Sequence, residues 1–204
     1  MLSDEKSYIL GLWCADGYHR TSSIGLSNIK TKLIQRFAKY LRNLFDEDRL
    51  RLRVYIPESF HDCFSLDDLK IKNVSVLKVI KAKHPSFHIY VNSRSLLREF
   101  RQKRKELLTM KEEQIFPYLA GRFDGDGSVD QDGRKDFRIV YGNREEAEVD
   151  RLLLQKIRPE YQVKIYHYKQ AKTYCLYVSR YHSKCLIQDL LPHSTILKDK
   201  FLTP

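Results

Sequence analysis

The stretch Ile9-Leu10-Gly11-Leu12-Trp13-Cys14-Ala15-Asp16-Gly17 occurs a second time, as Leu119-Ala120-Gly121-Arg122-Phe123-Asp124-Gly125-Asp126-Gly127. Each copy reads apolar, apolar, Gly, a short spacer, then Asp-Gly. On a helix, Gly11 and Ala15 stand one above the other, and so do Gly121 and Gly125. Two such flat stripes let helix backbones pack unusually close, so the repeat predicts a central pair of motif helices. The closing glycine suits a helix stop, since it accepts a left-handed C-cap.

The carboxylates constrain the chain further. Asp16 and Asp126 fall at helix C-termini, where the macrodipole disfavours negative charge. If the helices pair in parallel, the two carboxylates also approach each other. A hard divalent cation such as Mg²⁺ offsets both penalties, taking carboxylate oxygens while keeping water positions open. The bland alternative is two ordinary helices ending in Asp-Gly turns.

These residues resemble the two motifs of the LAGLIDADG homing endonucleases, in the single-chain form that carries both copies. Leu119, Ala120, Gly121, Asp124, Asp126 and Gly127 are on pattern. In the first copy Gly11, Leu12, Ala15, Asp16 and Gly17 fit, whereas Trp13 and Cys14 depart. The resemblance implies an α+β fold of two αββαββα repeats related by a pseudo-two-fold. Paired motif helices lie at the centre, and two antiparallel saddle sheets form a DNA-binding surface. It implies a monomer that makes a double-strand break in a long DNA target by metal-dependent phosphodiester hydrolysis. Asp16 and Asp126, with the preceding Ala15 and Gly125, would stand at the metal centre. Mg²⁺ or Mn²⁺ would be the cofactor, and Ca²⁺ would bind without turnover. The family often has a polar residue and a lysine on the strand after each motif. Here Asn28 and Tyr141 fall near the polar position, while the lysine positions hold Ile29 and Gly142. Lys30, Arg138 or Arg144 could substitute, and Asn28, Tyr141 and Lys30 are the candidate auxiliary residues.

The composition agrees with a polyanion partner. The chain has 204 residues, 42% of them hydrophobic, and a formal net charge of +11. Nucleic acid is the first reading of that excess and an anionic membrane the second. The apolar helix faces are better explained by core packing, and no apolar run reaches bilayer length, so no membrane partner is expected. The four cysteines, Cys14, Cys63, Cys175 and Cys185, form no C-x-x-C pair. They read as reduced thiols without a zinc site, in an intracellular setting: cytoplasm, nucleoid or organelle. A lone His19 after the first motif reads as a solvated turn residue.

Hydrophobic periodicity supplies the elements. The first motif helix is expected from Ser3 or Asp4 to about Ala15. Ser23 to Asn28 alternates as a strand, and Leu33, Ile34, Phe37, Tyr40, Leu41, Leu44 and Phe45 mark the apolar face of a helix. Arg49-Leu50-Arg51-Leu52-Arg53-Val54-Tyr55 alternates strictly, so Leu50, Leu52 and Val54 are expected inside and the arginines outside. The arginine row suits phosphate or guanine contact, although charge also guards solvated edge strands. Residues 56–69 give no clear period. Lys70 to Val79 reads partly as a strand, Phe87 to Asn92 as a strand, and Ser93 to Phe100 as a helix.

The basic run 101–105 reads as a junction. It divides the chain into an N-terminal repeat (1–100), a linker (101–110) and a C-terminal repeat (111–204). Thr109 and Glu112 have capping-box spacing, and Pro117 lies either in the first turn of the second motif helix or at a kink. Strands at 137–141, 162–168 and 173–179 and helices at 145–157 and 181–191 complete the second half. Val149, Leu152, Leu153 and Ile157 are expected to face inward. Lys164, Tyr166, Tyr168, Lys169 and Lys172, with Arg49, Arg51 and Arg53, form the expected DNA face. The competing function is a nucleic-acid-binding module without cleavage, such as an intron maturase. The host element, intron or intein, does not follow from these residues.

Overall fold

A computed structural model describes residues 2–18, 22–59, 69, 71–80, 82–129 and 136–197. His19 and Cys63 lie outside the described residues. The order is α1 (Asp4–Asp16), β1 (Gly17–Tyr18), β2 (Ser23–Asn28), α2 (Thr31–Arg42), β3 (Arg51–Pro57), β4 (Val74–Val79), β5 (Ser86–Asn92) and α3 (Arg94–Lys105). There follow α4 (Glu112–Asp126), β6 (Gly127–Val129), β7 (Phe137–Tyr141), α5 (Arg144–Ile157), β8 (Val163–Tyr168), β9 (Thr173–Val178) and α6 (Arg180–Leu190). Packing divides the chain into residues 16–101 and a discontinuous unit of residues 1–15 and 102–204. No described helix is long and apolar enough to cross a membrane.

In the unit of residues 16–101 the strand order is β1-β2-β5-β3-β4. β2 and β3 both run antiparallel to β5, and β4 adds at the edge parallel to β3, from Leu52↔Val74 to Pro57↔Val79. The period-two pattern sorts the faces. Ile24, Leu26, Leu52, Val54, Ile89 and Val91 are buried against the helix layer. There Leu33, Ile34, Phe37 and Leu41 of α2 and Leu96, Leu97 and Phe100 of α3 close the core. Each such side chain contributes about 1.5–3 kcal/mol of transfer free energy.

In the other unit the order is β6-β7-β9-β8, antiparallel throughout. Matching the motifs pairs β6 with β1, β7 with β2, β9 with β5 and β8 with β3. Both halves therefore share one α+β pattern, with β4 as an addition to the first. The small-residue stripes pack as the motif requires. A Cβ on Gly11 would stand 1.9 Å from the Tyr118 carbonyl oxygen, and one on Gly121 would stand 2.0 Å from that of Tyr8. Only glycine allows backbones this close.

Several local expectations are corrected. Arg49 closes a 3₁₀ turn (Glu47–Arg49), so β3 begins at Arg51. Leu44 lies past the end of α2 and is exposed. The basic run 101–105 is the last part of α3, where cations complement the helix dipole. Thr109 ends a 3₁₀ turn and does not cap α4. Instead the Gln114 Oε1 accepts from the Lys111 backbone N at 3.4 Å, and its amide donates to the Leu2 carbonyl at 2.7 Å. Pro117 is inside α4, beyond its first turn. Gly127 has φ −87° and ψ 154°, so the chain passes from helix into β6 without a left-handed cap. On α5 the inward row is Ala147, Asp150, Leu153 and Leu154, and Leu152 is exposed.

Candidate functional site

Asp16 ends α1 and is half-buried. The β1–β2 register, Gly17↔Leu26, brings the far end of β2 beside it. Asn28 donates its side-chain amide to Asp16 Oδ2 at 2.7 Å, and its own Oδ1 accepts from the Lys30 backbone N at 2.7 Å. The Asn28 amide is thereby held in one orientation toward the carboxylate. Lys30 is the N-cap residue of α2. Ile29, at the expected lysine position, is 58% exposed.

Asp126 ends α4 and is likewise half-buried. The β6–β7 register, Gly127↔Ile139, places Tyr141 where β2 has Asn28. Tyr141 is buried, and its hydroxyl donates to Asp150 Oδ2 at 2.8 Å. The two repeats thus place unlike side chains at matching strand positions. A Cβ on Gly142, the second expected lysine position, would meet nothing within 4 Å. Asp124 is structural: buried, it accepts from the Tyr8 hydroxyl at 2.6 Å, Ser194 Oγ at 2.5 Å and Thr195 N at 2.7 Å.

Carboxylate and carbonyl oxygens are the donors that a hard cation takes. Asp16 and Asp126 offer carboxylate oxygen. Ala15 and Gly125, both half-buried, offer carbonyls from final helical turns, which lack intrahelical donors. Among the described residues, no group of three or more His, Cys, Asp and Glu side chains could hold a metal ion.

One cluster escaped the sequence reading. Arg122, only 2% exposed, gives its Nε to Asp150 Oδ2 at 3.1 Å and reaches Glu146 at 3.4 Å. The Tyr118 hydroxyl donates to Asp150 Oδ1 at 2.9 Å, and the Arg122 guanidinium lies 4.7 Å from the Tyr141 ring centre. Burial pushes the Asp150 carboxyl up, and the Arg122 charge opposes that. The visible signal was an arginine where the first motif has Leu12. Beside this cluster lies a cavity of about 110 Å³ lined in part by Cys14, Tyr118, Glu146 and Asp150. Burial pushes the Cys14 thiol up to about 12, which makes it a poor nucleophile.

The outer sheet faces carry the expected cations and aromatics. Arg51 and Arg53 are exposed and alternate with buried Leu52 and Val54. Arg49, off the strand, donates to the Asn92 carbonyl at 3.0 Å and covers the Phe45 ring at 4.7 Å. Arg51 donates to the carbonyls of Asp48 and Leu50. Lys164, Tyr166 and Tyr168 are exposed on β8. Lys169 and Lys172 occupy the exposed β8–β9 turn, Lys172 with a left-handed φ of 53°.

The sequence reading missed Tyr18, Tyr55, His88 and Tyr90 on the first sheet and Tyr177 on the second, and named Arg138 only as a substitute for an expected lysine. Their signal was present, since β5 alternates apolar Phe87, Ile89 and Val91 with His88 and Tyr90. The Tyr18 and His88 rings are 4.1 Å apart edge to face, and His88 and Tyr90 are 5.1 Å apart. Arg138 lies 6.0 Å from the Tyr177 ring centre.

No family model and no curated protein sequence matches the chain. Solved structures do. The homing endonuclease I-DmoI, as mesophilic variants, superposes with a TM-score of 0.64 at 15% identity, covering 93% of this chain and 96% of that one. The homing endonuclease I-WcaI bound to its DNA recognition sequence gives 0.66 at 14% identity, covering 100% and 88%. The chain has the fold of the LAGLIDADG homing endonucleases. The LAGLIDADG fold is shared more widely: full-length DUF199/WhiA from Thermatoga maritima gives a TM-score of 0.60 at 15% identity, and the chain spans 59% of its length.

Proposed function

We propose that the protein is a site-specific, divalent-metal-dependent DNA endonuclease that makes a double-strand break in a long duplex target. The observation that carries this reading is the retention, in both motif copies, of a half-buried aspartate at the junction of motif helix and first strand. A binding module has no use for carboxylates held beside phosphates. Support comes from the fold and from solved I-DmoI complexes with DNA and Mn and with DNA and Ca.

Asp16 and Asp126, with the Ala15 and Gly125 carbonyls, would hold the cations. When bound, a divalent ion supplies Lewis acidity, activating water and stabilising the leaving oxygen. Asn28 fixes the orientation of the Asp16 carboxylate. Lys30, two residues on, is the cation in that half for phosphate charge. Tyr141 takes no such part, because its hydroxyl is committed to Asp150. The outer sheet faces would lie along duplex DNA, with side chains entering the major groove. The enzyme would act as a monomer carrying both half-sites, in an intracellular compartment that holds DNA.

The test is cleavage of a library of long duplex targets with Mg²⁺, Mn²⁺ or Ca²⁺. Asp16→Asn and Asp126→Asn should each abolish double-strand cleavage while leaving binding intact. Ca²⁺ should support binding without turnover. A second reading, binding without cleavage, is favoured by Ile29 and Gly142 at the lysine positions. It takes over if wild-type protein binds duplex DNA and no divalent ion yields product.

A further inference from the structure

The two sheets end differently. In the first, β4 lies along the outer edge of β3, and just before it the Asn73 carbonyl accepts from Leu52 N at 2.9 Å. In the second, β8 is the last strand, and among the described residues no strand lies beyond it. The registers match the two edges residue by residue. Ile89-Tyr90-Val91 of β5 corresponds to Leu176-Tyr177-Val178 of β9. Leu52 pairs with Ile89 and Ile165 with Leu176, so Ile165 takes the place of Leu52, and His167 that of Val54.

The backbone of β8 turns half of its polar groups outward. Ser179 N donates to the Gln162 carbonyl at 3.0 Å. Antiparallel pairing alternates, so Lys164 and Tyr166 turn their N–H and C=O groups toward β9, and Val163, Ile165 and His167 turn theirs to the open edge. Their side chains are incompletely covered as well. Leu52 and Val54 are 1% and 0% exposed, whereas Val163 and Ile165 are half-buried and His167 is exposed. A groove of about 560 Å³ follows this edge, walled by Arg144, Glu148 and Arg151 of α5. Glu148 is already engaged by Arg151 at 2.7 Å and Arg144 at 3.6 Å. With Lys164 also lining it, the groove is left net positive.

An edge that offers N–H and C=O groups together is matched by another extended polypeptide, which returns both. A phosphate backbone accepts hydrogen bonds and donates none, so it answers only half of such an edge. A second copy would bring Lys164 and the two arginines against their own images, and like charges across strands repel. We propose that the β8 edge is a docking site for an extended, acidic segment of a partner protein, which adds to the second sheet as a strand, as β4 adds to the first. Its carboxylates meet Arg144 and Arg151, and its backbone meets the outward groups of Val163, Ile165 and His167. Lysine on an open edge strand guards against indiscriminate pairing, and here it also selects for acid in the partner. The inference does not depend on the endonuclease reading.

The experiment is selection of displayed random dodecapeptides on the full chain, followed by affinity and amide-exchange measurements with the selected peptides. They should be rich in Asp and Glu at alternate positions. Bound peptide should slow amide exchange at Val163, Ile165 and His167 and leave Lys164 and Tyr166, already paired with β9, unchanged. Ile165→Pro removes one outward N–H and spares the β8–β9 ladder. It should weaken binding about tenfold with little change in Tm. Arg144→Gln with Arg151→Gln alters no strand residue and should erase the preference for acid; it supplies the test if the proline variant does not fold. The proposal is overturned if no peptide is enriched, or if the selected peptides bind both variants as tightly as wild type. It is also overturned if oligothymidylate, and no peptide, protects the outward amides, or if wild type forms a dimer that these variants abolish.

Discussion

Gly121 and Asp124 are three residues apart in one motif and resist change for different reasons. A Cβ on Gly121 would meet the Tyr8 carbonyl and Leu12 N, backbone atoms that cannot swing aside. Gly121→Ala should therefore cost about 1–3 kcal/mol or more, read as a drop in Tm. Gly142→Ala, open to solvent, is the control and should leave Tm nearly unchanged. Asp124→Asn should also destabilise. Its carboxylate accepts from three donors, and an amide would turn an NH₂ toward at least one of them. The cost should be about 1–3 kcal/mol, and a normal Tm would refute the structural role. Asn28 was legible because counting along the strand places it opposite the motif. Tyr141 occupies the same count yet turns inward, because Asp150 and Arg122 wait for it on other helices, and no local pattern announces that. Installing the missing lysines, Ile29→Lys with Gly142→Lys, should raise the cleavage rate without loss of fold, since both positions have room.

Among the elements, the first sheet carries a pH dependence. His88 has its pKa lowered from 6.5 to about 4, first by burial and then by Arg53. The unfolded chain binds a proton near pH 6.5 while the folded one does not. Stability is thus fully present above that value and is lost as pH falls toward 4. The loss is on the order of 2–3 kcal/mol. Thermal unfolding from pH 7 to 4 should show a steeper fall for wild type than for His88→Gln; parallel curves would remove His88 as the cause.

The strands were legible where alternation was clean, as in Leu50, Leu52 and Val54. Alternation runs on past the strand's end, which is why Arg49 was read into it. The parallel pairing of β4 with β3 was not legible, because a strand's own residues do not name its partner. The run 101–105 looked like a linker because it has no apolar face. It stays helical because Leu96, Leu97 and Phe100 anchor the preceding turns.

At the scale of the molecule, the net charge of +11 makes binding to duplex DNA a competition with counterions. The logarithm of the affinity should fall linearly with the logarithm of salt, by about 0.9 per phosphate neutralised. Arg51→Ala should lower that slope by about one and leave Tm intact; an unchanged slope would take Arg51 off the DNA surface. The fold as a whole was legible because a duplicated motif repeats an architecture, and one half then checks the other.

The first helix packs with a part of the chain that is made well after it. During synthesis α1 leaves the ribosome with its glycine face bare, and α4 follows only after residues 17–111. At 5–20 residues per second that wait is on the order of 5–20 s. This helix therefore completes its packing late. Until then Tyr8, Leu12 and Trp13, all buried in the finished protein, are open to any chaperone that binds apolar helix faces.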